Sequence, residues 1–338
     1  MIPRQHAFSP PAVSPDSAMI RVRDGVKKWS ILAPTVLLPR PWRVALRERL
    51  LSRLELAIAN RAGLIIIGHP KSGNTWLKVM IARLYQVRYN LKPSELIGSD
   101  ELALRNPAIP RLAATNGCYS YEGSVGRVLA AGAPDAPLRH KPVMFLARNP
   151  IDIAVSWFFQ FTRRQSAHKQ ELINHFIAHP IDRRTISMWD FVRHSDIGLP
   201  FLIDYLNTWE RNLKELDHSL LVRYEDLRAA PAATLKKIIG LMGESFSDAE
   251  IGEAVSFGSF ENLRKLESSG FFKRGGMTLR NAGDPDSFKV RRGKVGGYAE
   301  YFTAEQVAEL EELMMSRLSP TFGYLPSGSD VAKSSASA

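Results

Sequence analysis

The sequence predicts an α/β protein: a three-layer fold with a central parallel β-sheet flanked by helices. Three observations carry this expectation. Short apolar runs stand at 64–68, 143–147 and 219–222, continuous rather than alternating, as strands buried on both faces require. Each run ends in polar or Gly/Pro punctuation and is followed by a helical pattern. Strand then helix, repeated, implies parallel pairing through crossovers, and ligands of such sheets bind at the carboxyl ends of the strands.

Taken in order, residues 1–17 carry Pro and Ser without an apolar run and read as a disordered N-terminus. Residues 18–326 read as one domain, with its motifs between 64 and 303, and the Ser/Ala-rich stretch 327–338 as a disordered tail. The stretch 29–42 is apolar but broken by Pro34, Pro39 and Arg40, and is flanked by Lys27, Lys28, Arg43 and Arg47. It reads as an irregular segment packed on the domain, with peripheral membrane contact as the alternative. After the first strand, Trp76, Val79, Met80 and Leu84 share one face of a helix over 75–86. Helices are expected at 151–164 and from Pro231, where Leu235, Ile238, Ile239 and Met242 follow at helical spacing. The weakly periodic stretch 88–139 and the His/Arg-rich stretch 163–200 read as loops or caps over the strand ends. A last amphipathic helix over 304–317 turns Val307, Leu310, Leu313 and Met314 inward.

Bulk composition narrows the class without naming it. A chain of 338 residues, 45% hydrophobic and 23% charged, buries a core that needs no disulfide staples. Cys118 is its one cysteine, so an intrachain disulfide is excluded, which suits a reducing, cytoplasmic setting. The first residues lack the apolar core of a signal peptide, and no stretch reaches the ~18 apolar residues of a membrane span. With 45 Lys+Arg against 34 Asp+Glu, the net charge of +11 attracts anions. No nucleic-acid-binding motif accompanies that charge, so nucleic acid is not an expected partner.

The segment from Gly68 to Thr75 joins the first strand to the first helix. Its glycines permit a tight turn, its amides face an anion, and the helix N-terminus adds partial positive charge. Lys71 supplies a full charge, and Ser72, Asn74 and Thr75 supply side-chain hydrogen bonds. The context is that of a P-loop NTPase-like fold, but not of a nucleoside-triphosphate loop. Asn74 holds the usual lysine position, the lysine is displaced to Lys71, and the second strand ends in Arg148 with no acid to hold Mg²⁺. A P-loop nucleotide phosphotransferase is therefore the rival reading.

The run Pro70-Lys-Ser-Gly-Asn-Thr-Trp-Leu77 resembles the 5′-phosphosulfate loop of the 3′-phosphoadenosine 5′-phosphosulfate (PAPS)-dependent sulfotransferases, P-K-S-G-T-T-W-L. Residues 148–156 resemble the family's R-N-P-x-D-x-x-x-S motif, which implies that Arg148 and Ser156 grip the 3′-phosphate. Residues 224–227 resemble its Y-E-D-L element, which gives Tyr224 to the adenine and leaves Glu225 and Asp226 structural. Residues 290–303 resemble its R-K-G-x-x-G segment, bringing Arg291, Arg292 and Gly293 to the same phosphate, with Gly297-Tyr298 in place of D-W. Lys71, Ser72, Gly73, Asn74, Thr75 and Trp76 complete the implied PAPS site.

The resemblance implies sulfuryl transfer to a hydroxyl or amine acceptor, releasing adenosine 3′,5′-bisphosphate, with no metal. Lys71 would stabilise the leaving nucleotide. The family's base is a histidine in a K-T-H-like segment between the first two motifs; residues 113–123 hold none. By a loose alignment Tyr121 takes its place, followed by Glu122, the candidate base, which reads equally as a surface acid. His69 and His140 are the alternatives. A site that binds PAPS without turning it over is the second rival. The acceptor, a small molecule, lipid or carbohydrate, is left open.

Overall fold

The computed structural model describes residues 23–93, 100–116, 139–272, 277, 288–289 and 293–324. Four parallel strands form the sheet: β1 (Leu64–Ile67), β2 (Leu112–Thr115), β3 (Val143–Ala147) and β4 (Ser219–Arg223), in the order β2-β1-β3-β4. The first, third and fourth are the expected runs. β2 was not anticipated and lies inside the stretch read as loop. Its Leu-Ala-Ala-Thr lacks aromatic residues and has one β-branched residue, and it is an edge strand paired only to β1.

Alternate residues of β1 feed two cores, which makes the sheet the middle layer. Leu64 and Ile66 pack with α3 (Asn74–Arg88), α10 (Pro231–Leu241) and α11 (Asp248–Phe257). Ile65 and Ile67 pack on the other side with the end of α2 (Arg40–Asn60) and with Tyr205, Leu206 and Trp209 of α8 (Leu199–Leu213). α4 (Glu101–Arg105) precedes β2, and α9 (Tyr224–Ala229) follows β4 directly. α12 (Phe260–Ser268) and α13 (Ala304–Arg317) complete the layers, the latter burying Leu310 and Met314.

Two loop expectations are corrected. The helix α5 (Pro150–Phe159) runs into a π-turn, Gln160–Arg164, and then α6 (Ala167–Phe176) and α7 (Met188–Arg193), so much of 163–200 is helical. Trp157 and Phe161 are buried, and Phe158 and Phe159 beside them are partly buried. The segment 29–42 is not irregular either. α1 (Asp24–Thr35) and α2 form a helical hairpin: Pro34 stands one residue before the end of α1, so its ring disturbs only the last turn, and Pro41 falls in the first turn of α2, where helices tolerate the ring. The hairpin is tied to α6 by Glu171, which accepts from Arg43 and Arg47. No helix among the described residues is long and apolar enough to cross a membrane.

Candidate functional site

Parallel register brings the strand ends level. Ile67 sits beside Thr115 and Phe145, and Ala147 beside Arg223. The segments leaving β1, β2, β3 and β4 therefore meet at one edge, where a cavity of about 630 Å³ opens.

The loop after β1 is shaped by two residues with positive φ. Gly73, at φ 107°, takes a conformation that strains other residues, and a Cβ there would lie 2.8 Å from Tyr224 Cδ2. Lys71 adopts φ 83° although it is not glycine, a conformation that costs roughly 1–2 kcal/mol. Its carbonyl accepts from Arg148 Nη1 at 3.1 Å, so the arginine after β3 holds the strained turn. Asn74 donates through Nδ2 to the Gly68 carbonyl at 2.9 Å and closes the loop. Lys71, Thr75 and Trp76 all line the cavity.

β3 delivers Arg148 and Asn149. Asn149 caps α5 by accepting from the Ile151 and Asp152 amides, which places Asp152 and Ser156 along one cavity-facing side. The Asp152 carboxylate lies 3.6 Å from Arg148 and accepts from the amides of Gly296 (2.9 Å) and Tyr298 (3.2 Å). Arg148 Nη2 donates to the Lys294 carbonyl at 3.1 Å. These bonds bring the segment at 293–301 against α5, with Gly293 on the cavity wall. Arg291, Arg292, Tyr121 and Glu122 lie outside the described residues.

β4 delivers Tyr224 as the first residue of α9. Its ring meets Trp76 edge-on at 5.6 Å, lies 4.4 Å under the Arg148 guanidinium, and its hydroxyl donates to the Gly293 carbonyl at 3.4 Å. Trp76 is fixed by donating Nε1–H to the Gly258 carbonyl at 2.7 Å. Glu225 accepts from the Asn149 amide at 3.0 Å, burial pushing its carboxyl up, and Asp226 pairs with Arg223, so both acids brace the strand ends.

Among the cavity residues that escaped the sequence reading, Arg228, Phe260 and Lys294 stand beside the anchored motifs. Arg228 lies one turn after Tyr224 on α9, its guanidinium 5.9 Å from the Trp76 ring, and helical spacing from the tyrosine was the available signal. Phe260 offered none, since it reaches the site from a distant helix. Of the two histidines held as alternative bases, neither lines the cavity. His69 is buried against Trp157, Phe201 and Tyr205, burial holding its pKa down to about 3, and its Nδ1–H donates to the Pro70 carbonyl at 2.9 Å. His140 pairs with Asp217 at the opposite end of the sheet, ahead of β3.

The donor set fits a phosphorylated nucleotide. Cationic and hydroxyl groups line one wall, an aromatic niche adjoins them, and Asp152 is already engaged by two amides. Among the described residues, Ser72 Oγ and Arg148 Nε are buried without a hydrogen-bond partner. The class so defined is an α/β transferase acting at a strand–loop–helix anion site. Residues 62–322 match the sulfotransferase domain family, and the chain belongs to it; it is an enzyme of that PAPS-dependent family. Cytosolic sulfotransferase 5 of Arabidopsis thaliana is 25% identical over 275 residues, covering 75% of this chain and 79% of its own. Cytosolic sulfotransferase 14 of the same plant is 27% identical over 272 residues, covering 74% and 73%. The crystal structure of mouse sulfotransferase SULT7A1 complexed with PAP covers 83% of this chain and 92% of that chain, at 19% identity and a TM-score of 0.49.

Proposed function

We propose that the cavity holds PAPS across the ends of β1, β3 and β4, with its 5′ end on the loop at 68–75. The observation that carries this reading is the convergence of Lys71, Arg148 and Tyr224 on one wall, bonded to one another through the Lys71 carbonyl and the Tyr224 ring. When bound, PAPS supplies the sulfuryl group that an acceptor oxygen or nitrogen attacks. Thr75 and the loop amides receive the 5′-phosphate, Arg148 and Ser156 the 3′-phosphate, and Trp76 and Tyr224 the adenine. Lys71 presents its ammonium to the oxygen that takes up charge as the nucleotide leaves. Ser72, Gly73 and Asn74 shape the turn and Gly293 closes the opposite wall; Arg291 and Arg292 belong to the same reading by resemblance. Calorimetric titration tests it. The protein should bind adenosine 3′,5′-bisphosphate (PAP) saturably without metal; tighter binding of Mg²⁺-ATP would favour the phosphotransferase rival.

For the base, the role is assigned to Glu122. β2 ends with Thr115 and Asn116 lining the cavity, so the chain enters the segment holding Glu122 from the site itself. The Asn116 amide accepts no proton at neutral pH. Glu122→Gln should cut turnover by about tenfold or more, within the usual general-base range. Wild-type rates would move the role to Glu55, a carboxylate on α2 that lines the cavity.

The α1–α2 hairpin supports a second element, peripheral contact with an anionic lipid surface. Trp29, Leu37 and Trp42 are 69%, 89% and 74% exposed, and exposed Arg40, Arg49 and Arg53 share the hairpin. Indole rings beside cations suit the headgroup boundary. The protein should sediment with phosphatidylglycerol-containing vesicles, and Trp29→Ser with Trp42→Ser should release it; equal sedimentation of the double variant would refute the contact.

A further inference from the structure

The cavity is larger than the proposed nucleotide wall. It continues between α1, α2, α6 and Lys289, and that half is chemically distinct. Lys28 enters from α1, Lys78 from the second turn of α3, Lys169 from α6, and Lys289 from the chain beyond α12. Leu54 and Ile58 of α2 and Ile173 of α6 supply an apolar wall beside them. Two carboxylates line the same half. Glu55 is one, and Asp24, bonded to Arg61 at 3.2 Å and facing Lys27 at 3.6 Å, is the other.

The four ammonium groups belong to one electrostatic neighbourhood. Burial pushes the Lys169 ammonium down, Lys28, Lys289 and Lys78 push it further, and Glu55 opposes them. Burial also lowers Lys78 and Lys28. Gathering like charges in one half-buried cavity disfavours their charged forms, and Glu55 offsets part of that repulsion. An anion bound among them offsets that repulsion with attraction to each, which is how basic clefts select ligands.

We propose that this half of the cavity is an acceptor subsite for an amphipathic anion: a molecule with an apolar body and a carboxylate, sulfate or phosphate group. The inference rests on the reading of the first half as the donor site. The apolar body lies along Leu54, Ile58 and Ile173, and the anionic group among Lys28, Lys78, Lys169 and Lys289. The acceptor hydroxyl or amine is thereby turned toward the end of β1, where Lys71 stands. Lys28 and Lys169 act as positioning residues that set which acceptors enter.

The test uses a pair of probes that differ chiefly in charge, naphthalene-2-sulfonate and naphthalene-2-sulfonamide, titrated into the full chain saturated with PAP. The sulfonate should bind about tenfold or more tightly, the scale of one charge-assisted hydrogen bond. Lys169→Met and Lys28→Met, singly and together, should erase that preference while leaving PAP affinity where it was. Methionine keeps the apolar stem of each half-buried lysine, and unchanged PAP affinity in each variant serves as the control for the fold. Lys78→Met serves as the independent second variant. Equal affinity for the two probes, or a preference that survives all three substitutions, would overturn the proposal. So would a loss of PAPS affinity relative to PAP in the variants, because the lysines would then hold the donor's sulfuryl group. Failure of PAP to bind would overturn the donor reading alone. The sulfonate preference of the unliganded protein would then decide the acceptor subsite by the same two comparisons.

Discussion

Lys71→Ala should lower the rate of sulfuryl transfer by about 10²–10³-fold, the usual loss when one preorganised donor to a developing oxyanion is removed. Nucleotide affinity should fall much less. In the proposed pose the loop amides and Thr75 share the ground-state 5′-phosphate and Arg148 the 3′-phosphate, whereas charge on the departing oxygen develops only in the transition state. The substitution is a clean one for the backbone. Lys71 sits at φ 83°, and alanine meets the same steric strain there as lysine, so the turn itself is not relieved or burdened further. The check is turnover measured beside PAP affinity. Equal losses in the two would make Lys71 a binding residue, and unchanged turnover would remove it from the reaction.

Arg148→Ala carries the second large effect. The guanidinium bonds to the Lys71 and Lys294 carbonyls, lies over Tyr224 and sits beside Asp152, so it joins three of the segments that form the donor wall. Its removal loosens that wall, and loss of affinity alone would not separate structure from recognition. The ratio of PAP affinity to adenosine 5′-monophosphate affinity does separate them. That ratio should fall at least about 30-fold, equivalent to about 2 kcal/mol, if the arginine holds the 3′-phosphate. Arg148→Lys should fall between the two, keeping charge without the planar fork. An unchanged ratio in the alanine variant would assign the 3′-phosphate to other residues.

The donor wall was largely legible in the chain because each of its motifs lies next to a strand end. Lys71 and Thr75 flank the start of α3, Arg148 follows β3, and Tyr224 follows β4, so local pattern and site coincide. β2 escaped because Leu-Ala-Ala-Thr has no period-two contrast, and at the sheet edge it needs little hydrophobicity. The α1–α2 hairpin escaped because Pro34 and Pro39 look like breaks in a one-dimensional reading, while Pro34 stands next to the end of α1 and Pro39 caps the start of α2. The acceptor half was illegible for a different reason. Lys28, Lys78, Lys169 and Lys289 stand on separate elements, far apart in sequence, and each reads as an ordinary surface lysine until packing brings them to one cavity.

The hairpin presents a different face to each side. α1 turns Lys28 to the cavity and Trp29 outward, and α2 turns Leu54 inward while Trp42 stays exposed. One pair of helices thus forms a wall of the acceptor half and presents aromatic rings on its outer side. An amphipathic anionic acceptor held at a lipid surface would satisfy both faces.

Sulfuryl transfer itself is read most directly with a labelled donor. PAPS carrying a radiolabelled sulfuryl group is incubated with the protein and a fractionated extract of its source cells, with Lys71→Ala as control. Label is expected in an acidic, amphipathic fraction with the intact protein and is nearly absent with the variant. No labelled fraction, from a protein that nonetheless binds PAP, would contradict sulfuryl transfer and leave a site that holds the nucleotide without turning it over.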